Sequence, residues 1–96
     1  MTSVLKINFT PQALDDLRSI KNWIAQDDER AAERVISRIR QTAMMFAQFP
    51  KLGHPGDVSG TREFKLTGLP YMIVYQTPLD AEIDILTIIH AERLYP

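Results

Sequence analysis

The chain has 96 residues, a length that suits a single domain, and its 45% apolar and 24% charged residues are typical of a globular protein and exclude a disordered one. Eleven Lys and Arg against twelve Asp and Glu give a net charge of −1, whereas proteins that grip nucleic acid usually carry a basic surplus. The chain has no Cys, and its two His residues show no metal-ligand spacing, so we expect no disulfide, no metal and no cofactor.

No segment approaches the roughly 18 apolar residues of a membrane span, and the N-terminus lacks a basic segment followed by an apolar core. We therefore expect one domain over residues 1–96, with no contact with a membrane and a cytoplasmic location.

The first half of the chain is predicted to be a short strand followed by two helices that form a hairpin. Leu5, Ile7 and Phe9 alternate with polar residues, which is typical of a half-buried strand. Thr10 is a suitable N-cap and Pro11 a suitable first helical residue, and the three- and four-residue apolar spacing predicts a helix that runs to about residue 26. Asp27 and Asp28 then offer a side-chain cap for the start of a second amphipathic helix.

The second half of the chain is predicted to be a meander. Residues 49–60 contain several Gly and Pro and form the longest irregular segment. Strands are predicted at residues 61–66, 71–76 and 81–89, separated by turns at residues 67–70 and 77–80. In the last strand Ile83, Ile85 and Ile89 are predicted on one face, with Leu86 and Ile88 on the other, so this strand is expected inside the sheet.

These elements predict an α+β fold of order β-α-α-β-β-β, in which the N-terminal helical hairpin packs on a small, mostly antiparallel sheet. Such a fold hosts many activities, so function has to come from motifs. Tyr71 and Tyr75 share a face with Ile73, which indicates packing, with their hydroxyl groups at the rim. Asp15 and Asp16 are adjacent on a helix and cannot face each other as a catalytic carboxylate pair.

Four segments together resemble the RelE/ParE toxins of type II toxin–antitoxin systems. They are ALDDL at residues 13–17, FPKLG at 49–53, TREFKL at 61–66, and the pair PYMIVY at 70–75 with HAERLYP at 90–96. The likeness runs from the first strand to the last residue, and the loop glycine, the Arg-Glu strand and the tail are more similar to the ParE branch.

The resemblance to ParE implies an inhibitory binding protein that poisons DNA gyrase without making a bond itself. The resemblance to RelE implies instead a ribosome-dependent mRNA endonuclease, for which Lys65, Arg93 and Tyr95 are the candidate catalytic residues. Met72 stands where a ribonuclease of this family would place an Arg, and the acidic pI of 6.1 also disfavours a ribosomal site. A third possibility is an inactive member that only binds its antitoxin.

The candidate contacts with the target lie near the C-terminus and on the sheet edge: Arg62, Lys65, His90, Arg93 and Tyr95. Arg62 and Lys65 fall on opposite faces of one strand, so at most one of them can serve a given surface, and either is equally well a solvated charge at the sheet edge. His90 follows the apolar Leu86 and Ile88, and it is better interpreted as closing the core than as a catalytic group.

The resemblance also implies a cognate, ParD-like antitoxin whose tail folds on the toxin. Exposed apolar residues on the hairpin, Trp23, Met44 and Met45, are its expected contacts. Arg30, Arg34 and Arg38 step along one helical face and either bind this partner or form a solvated stripe, which Glu29 and Glu33 offset.

Overall fold

The computed structural model describes residues 5–79 and 81–91. In chain order the elements are β1 (Lys6–Phe9), α1 (Pro11–Ala25), α2 (Glu29–Met45), β2 (His54–Pro55), β3 (Thr61–Lys65), β4 (Tyr71–Leu79) and β5 (Glu82–His90). The two helices follow the first strand and precede the other strands, so the α+β order predicted from the sequence is confirmed.

Both helix starts are set by the predicted caps. The Thr10 hydroxyl accepts a hydrogen bond from the backbone N–H of Ala13, and Pro11 occupies the first turn. The Asp28 carboxylate accepts from the N–H groups of Arg30 and Ala31 at the start of α2. These bonds satisfy donors that have no partner inside the helix.

Within the described residues the strands form one sheet in the order β1-β5-β4-β3-β2. β1 pairs with β5 in parallel, and the remaining pairs are antiparallel. The mostly antiparallel sheet and the interior place of β5, between β1 and β4, are therefore as predicted.

Three details of the meander differ from the prediction. Residues 54–55, expected to be irregular, form the short strand β2 on β3. β4 continues to Leu79 through residues predicted as a turn. A bulge in β5 pairs Thr87 with Val74 and Ile85 with Tyr75, so Leu86 is an extra residue. The bulge places Ile88, not Ile89, on the same buried face as Ile83 and Ile85.

One face of the sheet carries the core. The buried side chains come from both helices and from β4 and β5, and the largest of them are Tyr75, Phe46, Ile39, Ile73, Ile83 and Ile85. The Phe46 ring stacks on Tyr75 with 4.0 Å between ring centroids and meets Phe64 edge-on at 5.9 Å. The opposite face of the sheet, named the open face below, carries the alternate residues, among them Lys65, Met72 and Ile89.

Within residues 5–79 and 81–91, neither helix combines the length and the apolar character that a membrane-spanning segment requires.

Candidate functional site

The residues predicted to contact the target are not all on one surface. Lys65 is exposed on the open face, whereas Arg62, three residues earlier, is on the opposite face of β3. His90 ends β5 beside α1. Arg93 and Tyr95 lie outside the described residues.

Arg62 is held by the loop that precedes β3. Its guanidinium Nη1 donates a hydrogen bond to the carbonyl of Gly53 at 2.6 Å. Arg62 lies opposite Tyr75 in the β3–β4 register. The contact with Gly53 gives Arg62 a role in positioning this loop, which was predicted neither by its interpretation as a target contact nor by its interpretation as an edge charge.

The Tyr75 hydroxyl anchors the same loop. It accepts a hydrogen bond from the Gly53 N–H and donates one to the Pro50 carbonyl, both at 2.8 Å. Burial raises the pKa of Tyr75 above its ordinary value of 10.0, against the smaller lowering effects of the Gly53 hydrogen bond and the Arg62 charge. The prediction that this hydroxyl lies at the rim is wrong, because Tyr75 is completely buried.

Lys65 lies at one end of a row that crosses the open face. It is opposite Met72 on β4, and Met72 is opposite Ile89 on β5. The next row along begins with Glu63, which is opposite Val74. This part of the face thus combines a single exposed ammonium group with apolar side chains and a carboxylate.

His90 lies in a groove between α1 and the end of β5. Its ring meets Tyr71 edge-on, with 5.4 Å between centroids, as expected of a side chain that closes the core. Its Nδ1 atom is nevertheless buried and has no hydrogen-bond partner in the described part of the chain. Such an atom is costly to leave unpaired, so the groove around it is a candidate binding site.

Asp16 also lines this groove, and sequence reasoning missed it. Its carboxylate accepts hydrogen bonds from the Thr87 hydroxyl and from the Ile88 N–H, the latter at 3.0 Å. Asp15 instead forms an ion pair with Arg18 on the outside of the helix. The two neighbouring carboxylates therefore point to different surroundings, as expected for adjacent helical positions.

The predicted antitoxin contacts fall at separate places. Trp23 borders the groove beside His90, and its side chain is 60% exposed. Met44 and Met45 are exposed at the end of α2. Phe49 and Leu52, which sequence reasoning did not single out, are exposed in the loop that follows and extend this apolar surface. We name these four residues the α2 patch.

The arginine stripe on α2 is not uniform. Arg38 donates a hydrogen bond to the Thr67 carbonyl at 2.6 Å and so ties α2 to the turn between β3 and β4. Arg30 and Arg34 are exposed near the beginning of the helix. Lys21 of α1 pairs with Glu33 of α2 at 3.0 Å across the hairpin. At least one member of the stripe therefore has a structural partner.

Among the described residues, no three His, Asp or Glu side chains come together in a way that could hold a metal ion.

Comparisons with known proteins agree on one group. The family described as the ParE toxin of the type II toxin–antitoxin system parDE matches residues 7–95. Y4kP of Sinorhizobium fredii is 37% identical over 91 residues, which cover 95% of this chain and 93% of that protein. Toxin RelE2 of Caulobacter vibrioides is 33% identical over 89 residues, which cover 93% of this chain and 98% of that protein.

Solved structures agree on the fold. A chain of the chromosomal ParDE system from P. aeruginosa superposes with a TM-score of 0.81 at 22% identity, covering 93% of this chain and 98% of that chain. A chain of the RelBE2 toxin–antitoxin complex from Mycobacterium tuberculosis superposes with a TM-score of 0.68 at 18% identity, covering 91% and 98%. At these identities the likeness establishes the fold alone.

Proposed function

The chain belongs to the ParE toxin family of the RelE/ParE superfamily, and from this membership we propose that it stops bacterial growth by binding and poisoning DNA gyrase. In this proposal the toxin traps the topoisomerase on cleaved DNA and catalyses no reaction itself. A cognate, ParD-like antitoxin neutralises it in the cytoplasm by forming a hetero-oligomer.

The observation that carries this proposal is the character of the open face. Cleavage of a phosphodiester needs several groups that converge on the phosphate, to activate the nucleophile and to stabilise developing charge. The row through Lys65 continues with Met72 and Ile89, and Glu63 stands in the neighbouring row. Among the described residues, this part of the open face combines the Lys65 ammonium group with the apolar Met72 and Ile89, which suits contact with a protein better than catalysis on RNA.

The charge of the whole chain supports the same choice. With a net charge of −1 it has no long-range attraction for the polyanionic ribosome. Binding to a protein surface on gyrase does not require such an attraction. Lys65, with Arg93 and Tyr95 from the tail, remains our proposed contact with the target, whereas the hydrogen bond of Arg62 to Gly53 assigns that side chain to loop support.

The antitoxin partner is supported by the relatives and by the exposed apolar surface. The similar structures come from ParDE and RelBE systems, in which toxin and antitoxin are paired. Here Trp23 and the α2 patch leave large apolar side chains exposed at two places on the hairpin side. Exposed apolar patches of this kind mark protein contacts, and a partner that folds on binding can cover separated ones.

The alternative is a ribosome-dependent mRNA endonuclease, and the identity with toxin RelE2 favours it. In that case Lys65 would contact the phosphate, together with Arg93 and Tyr95. A third alternative is an inactive copy that only binds the antitoxin.

Inducible expression in a bacterial host separates these functions. We expect growth arrest with intact mRNA and an induced DNA-damage response, and rescue by co-expression of the antitoxin. Cleaved transcripts in a translating extract would move the assignment to the endonuclease. Unimpaired growth, with the protein shown to accumulate, would identify the inactive copy.

A further inference from the structure

The tail, residues 92–96, starts at the same end of the sheet as Lys65. Ala91, the last described residue before the tail, donates its N–H to the Pro70 carbonyl at 2.8 Å. Lys65 is opposite Met72, which is close to Pro70 at the beginning of β4. β3 and β5 lie on either side of β4, and neighbouring strands are about 4.8 Å apart, so Lys65 and the start of the tail are on strands roughly 10 Å apart. The two can therefore form one surface for the target.

The last part of β5 has a strand on one side only. β1 pairs with β5 as far as Ile85, and within residues 5–79 and 81–91 no strand covers residues 86–90 on the side away from β4. This part also contains the bulge at Leu86, where the ladder to β4 is interrupted. A slip of one residue here would move the start of the tail by about 3.4 Å and turn each later side chain to the opposite face. The place at which the tail leaves the sheet therefore depends on what holds this register.

Asp16 of α1 binds this part of β5 on the side that has no strand. Its carboxylate accepts hydrogen bonds from the Ile88 N–H, at 3.0 Å, and from the Thr87 hydroxyl. Thr87 and Ile88 are the two residues that directly follow the bulge. The other oxygen of the carboxylate accepts from the Gln12 amide at 2.9 Å, which fixes the Asp16 side chain on the helix. The helix thus holds β5 at the point where the ladder is weakest.

Regular pairing without the bulge is the competing arrangement. It would place Ile88, instead of Ile89, opposite Met72. The Ile88 N–H would then face β4 and not Asp16, and Thr87 would turn towards the core, where its hydroxyl is costly to bury. The bond between Asp16 and the Ile88 N–H exists only in the bulged register. It therefore favours the observed start of the tail over the competing one.

We propose that Asp16 is a positioning residue for target binding, which holds the bulged register of β5 and thereby directs the tail to the surface that carries Lys65. The proposal rests on the proposed function, in which Lys65, Arg93 and Tyr95 contact the target. Asp16 acts through β5, because both oxygens of its carboxylate already accept hydrogen bonds inside the chain.

Hydrogen exchange and target inhibition test the two halves of this proposal in the full-length chain. Asp16→Ala removes the acceptor of the Ile88 N–H, and the amide of Ala91 is expected to exchange about tenfold faster, because the register that bonds it to Pro70 is held less firmly. The concentration that half-inhibits gyrase is expected to rise about tenfold, the equivalent of about 1.4 kcal/mol. Growth arrest on induced expression is expected to weaken in parallel.

Asp16→Asn is the conservative variant. The Asn side chain has the same shape, and its oxygen can accept the bonds from Ile88 and Thr87. The Gln12 amide can turn so that it accepts from the Asn nitrogen. Asp16→Asn is therefore expected to keep slow exchange at Ala91 and inhibition within about twofold of the unaltered chain. This rescue separates the role of the hydrogen bond from that of the charge.

Two controls separate positioning from a general loss of stability. Asp15→Ala makes the same change of side chain at the neighbouring residue, which pairs with Arg18 on the outside of the helix. Ile36→Val removes a methyl group between the two helices and is expected to lower thermal stability without touching β5. Both variants are expected to leave exchange at Ala91 and inhibition unchanged.

If Asp16→Ala does not fold, Thr87→Val removes one of the bonds to Asp16 with little change of shape, and both readouts are expected to change about threefold. Unchanged exchange at Ala91, or faster exchange with unchanged inhibition and growth arrest, would overturn the proposal. A loss in Asp16→Asn as large as that in Asp16→Ala would overturn it too. Failure of the proposed function is distinguishable, because an unaltered chain that leaves gyrase untouched contradicts gyrase as the target, whereas exchange and growth arrest still decide the role of Asp16.

Discussion

The Tyr75 hydroxyl accepts a hydrogen bond from the backbone N–H of Gly53 at 2.8 Å, across 22 positions of the chain. The same hydroxyl donates to the Pro50 carbonyl, and Arg62 bonds to the Gly53 carbonyl. These three bonds hold the loop that presents Phe49 and Leu52 of the α2 patch. The shape of that exposed surface therefore depends on a tyrosine in the core.

Tyr75→Phe is expected to lower the free energy of unfolding by about 1–3 kcal/mol, because it leaves the buried Gly53 N–H and the partly buried Pro50 carbonyl without this partner. Urea denaturation measures the effect. The control Ser37→Ala removes a hydroxyl from an exposed position of α2 and is expected to change stability by less than about 0.5 kcal/mol. Equal stability of Tyr75→Phe and the unaltered chain would show that the loop is not anchored here.

The raised pKa of Tyr75 predicts a loss of stability at alkaline pH. Burial favours the protonated hydroxyl in the folded chain, so the unfolded chain releases this proton first, near the ordinary value of 10.0. Stability from this group is complete below that pH and falls as pH rises through the folded-state pKa. The free energy of unfolding, measured from pH 8 upward, should fall more steeply with pH for the unaltered chain than for Tyr75→Phe. Parallel curves would contradict the prediction.

Gly53 has no room for a side chain. A Cβ atom there would lie 2.8 Å from the Glu63 carbonyl oxygen and 2.9 Å from the Tyr75 hydroxyl, so Gly53→Ala is expected to cost about 2–3 kcal/mol. Gly60→Ala is the comparison, because Gly60 has a φ of 86° but open space around it, and only about 1 kcal/mol of backbone strain is expected. Thermal unfolding measures the stability that each variant loses. A larger loss for Gly60→Ala than for Gly53→Ala would contradict the close approach of Glu63 and Tyr75 to Gly53.

Substitution of Lys65 and of Arg62 should have different effects: the first on growth arrest and gyrase inhibition, the second on stability. Lys65→Ala is expected to weaken gyrase inhibition about fivefold or more, a loss of about 1 kcal/mol at an interface, with no change in stability. Arg62→Ala is expected to lose about 1.5–3 kcal/mol of stability, because the Gly53 carbonyl loses its charged donor. Lys51→Ala makes the same change of charge in the exposed loop and serves as the control. Inhibition that is unaffected by Lys65→Ala would remove this residue from the contact with gyrase.

The helices could be predicted from the sequence because their determinants are local. Thr10 and Asp28 bond to N–H groups two or three residues away, and the apolar spacing is read within each helix. The position of β5 inside the sheet also followed from apolar residues on both of its faces. These features need no knowledge of distant contacts.

The bulge in β5 could not be predicted, because its partners are far along the chain. The Thr10 hydroxyl donates to the carbonyls of Ile85 and Leu86, and Asp16 accepts from Ile88. These bonds satisfy the backbone where the regular alternation breaks. A prediction from regular alternation of side chains along the strand therefore assigns Ile88 and Ile89 to the wrong faces.

The site was only partly visible in the sequence for the same reason. Lys65 could be predicted as an exposed charge, because alternation of side chains within β3 is enough to assign it to a face. For Arg62 the sequence predicts either a contact with the target or a solvated charge, and it does not predict the bond to Gly53, because that acceptor lies in a loop whose path Gly and Pro residues leave undefined. Asp16 was dismissed as half of an unsuitable carboxylate pair, since its partners on β5 are more than 70 positions away.

The most direct test of gyrase as the target is a supercoiling reaction with purified gyrase, ATP, relaxed plasmid and the refolded chain. The prediction is inhibited supercoiling with accumulation of cleaved plasmid, reduced by Lys65→Ala and by Arg93→Ala and abolished by the antitoxin. A gyrase that supercoils at its normal rate and accumulates no cleaved plasmid, in the presence of excess folded chain, would contradict the assignment of gyrase as the target.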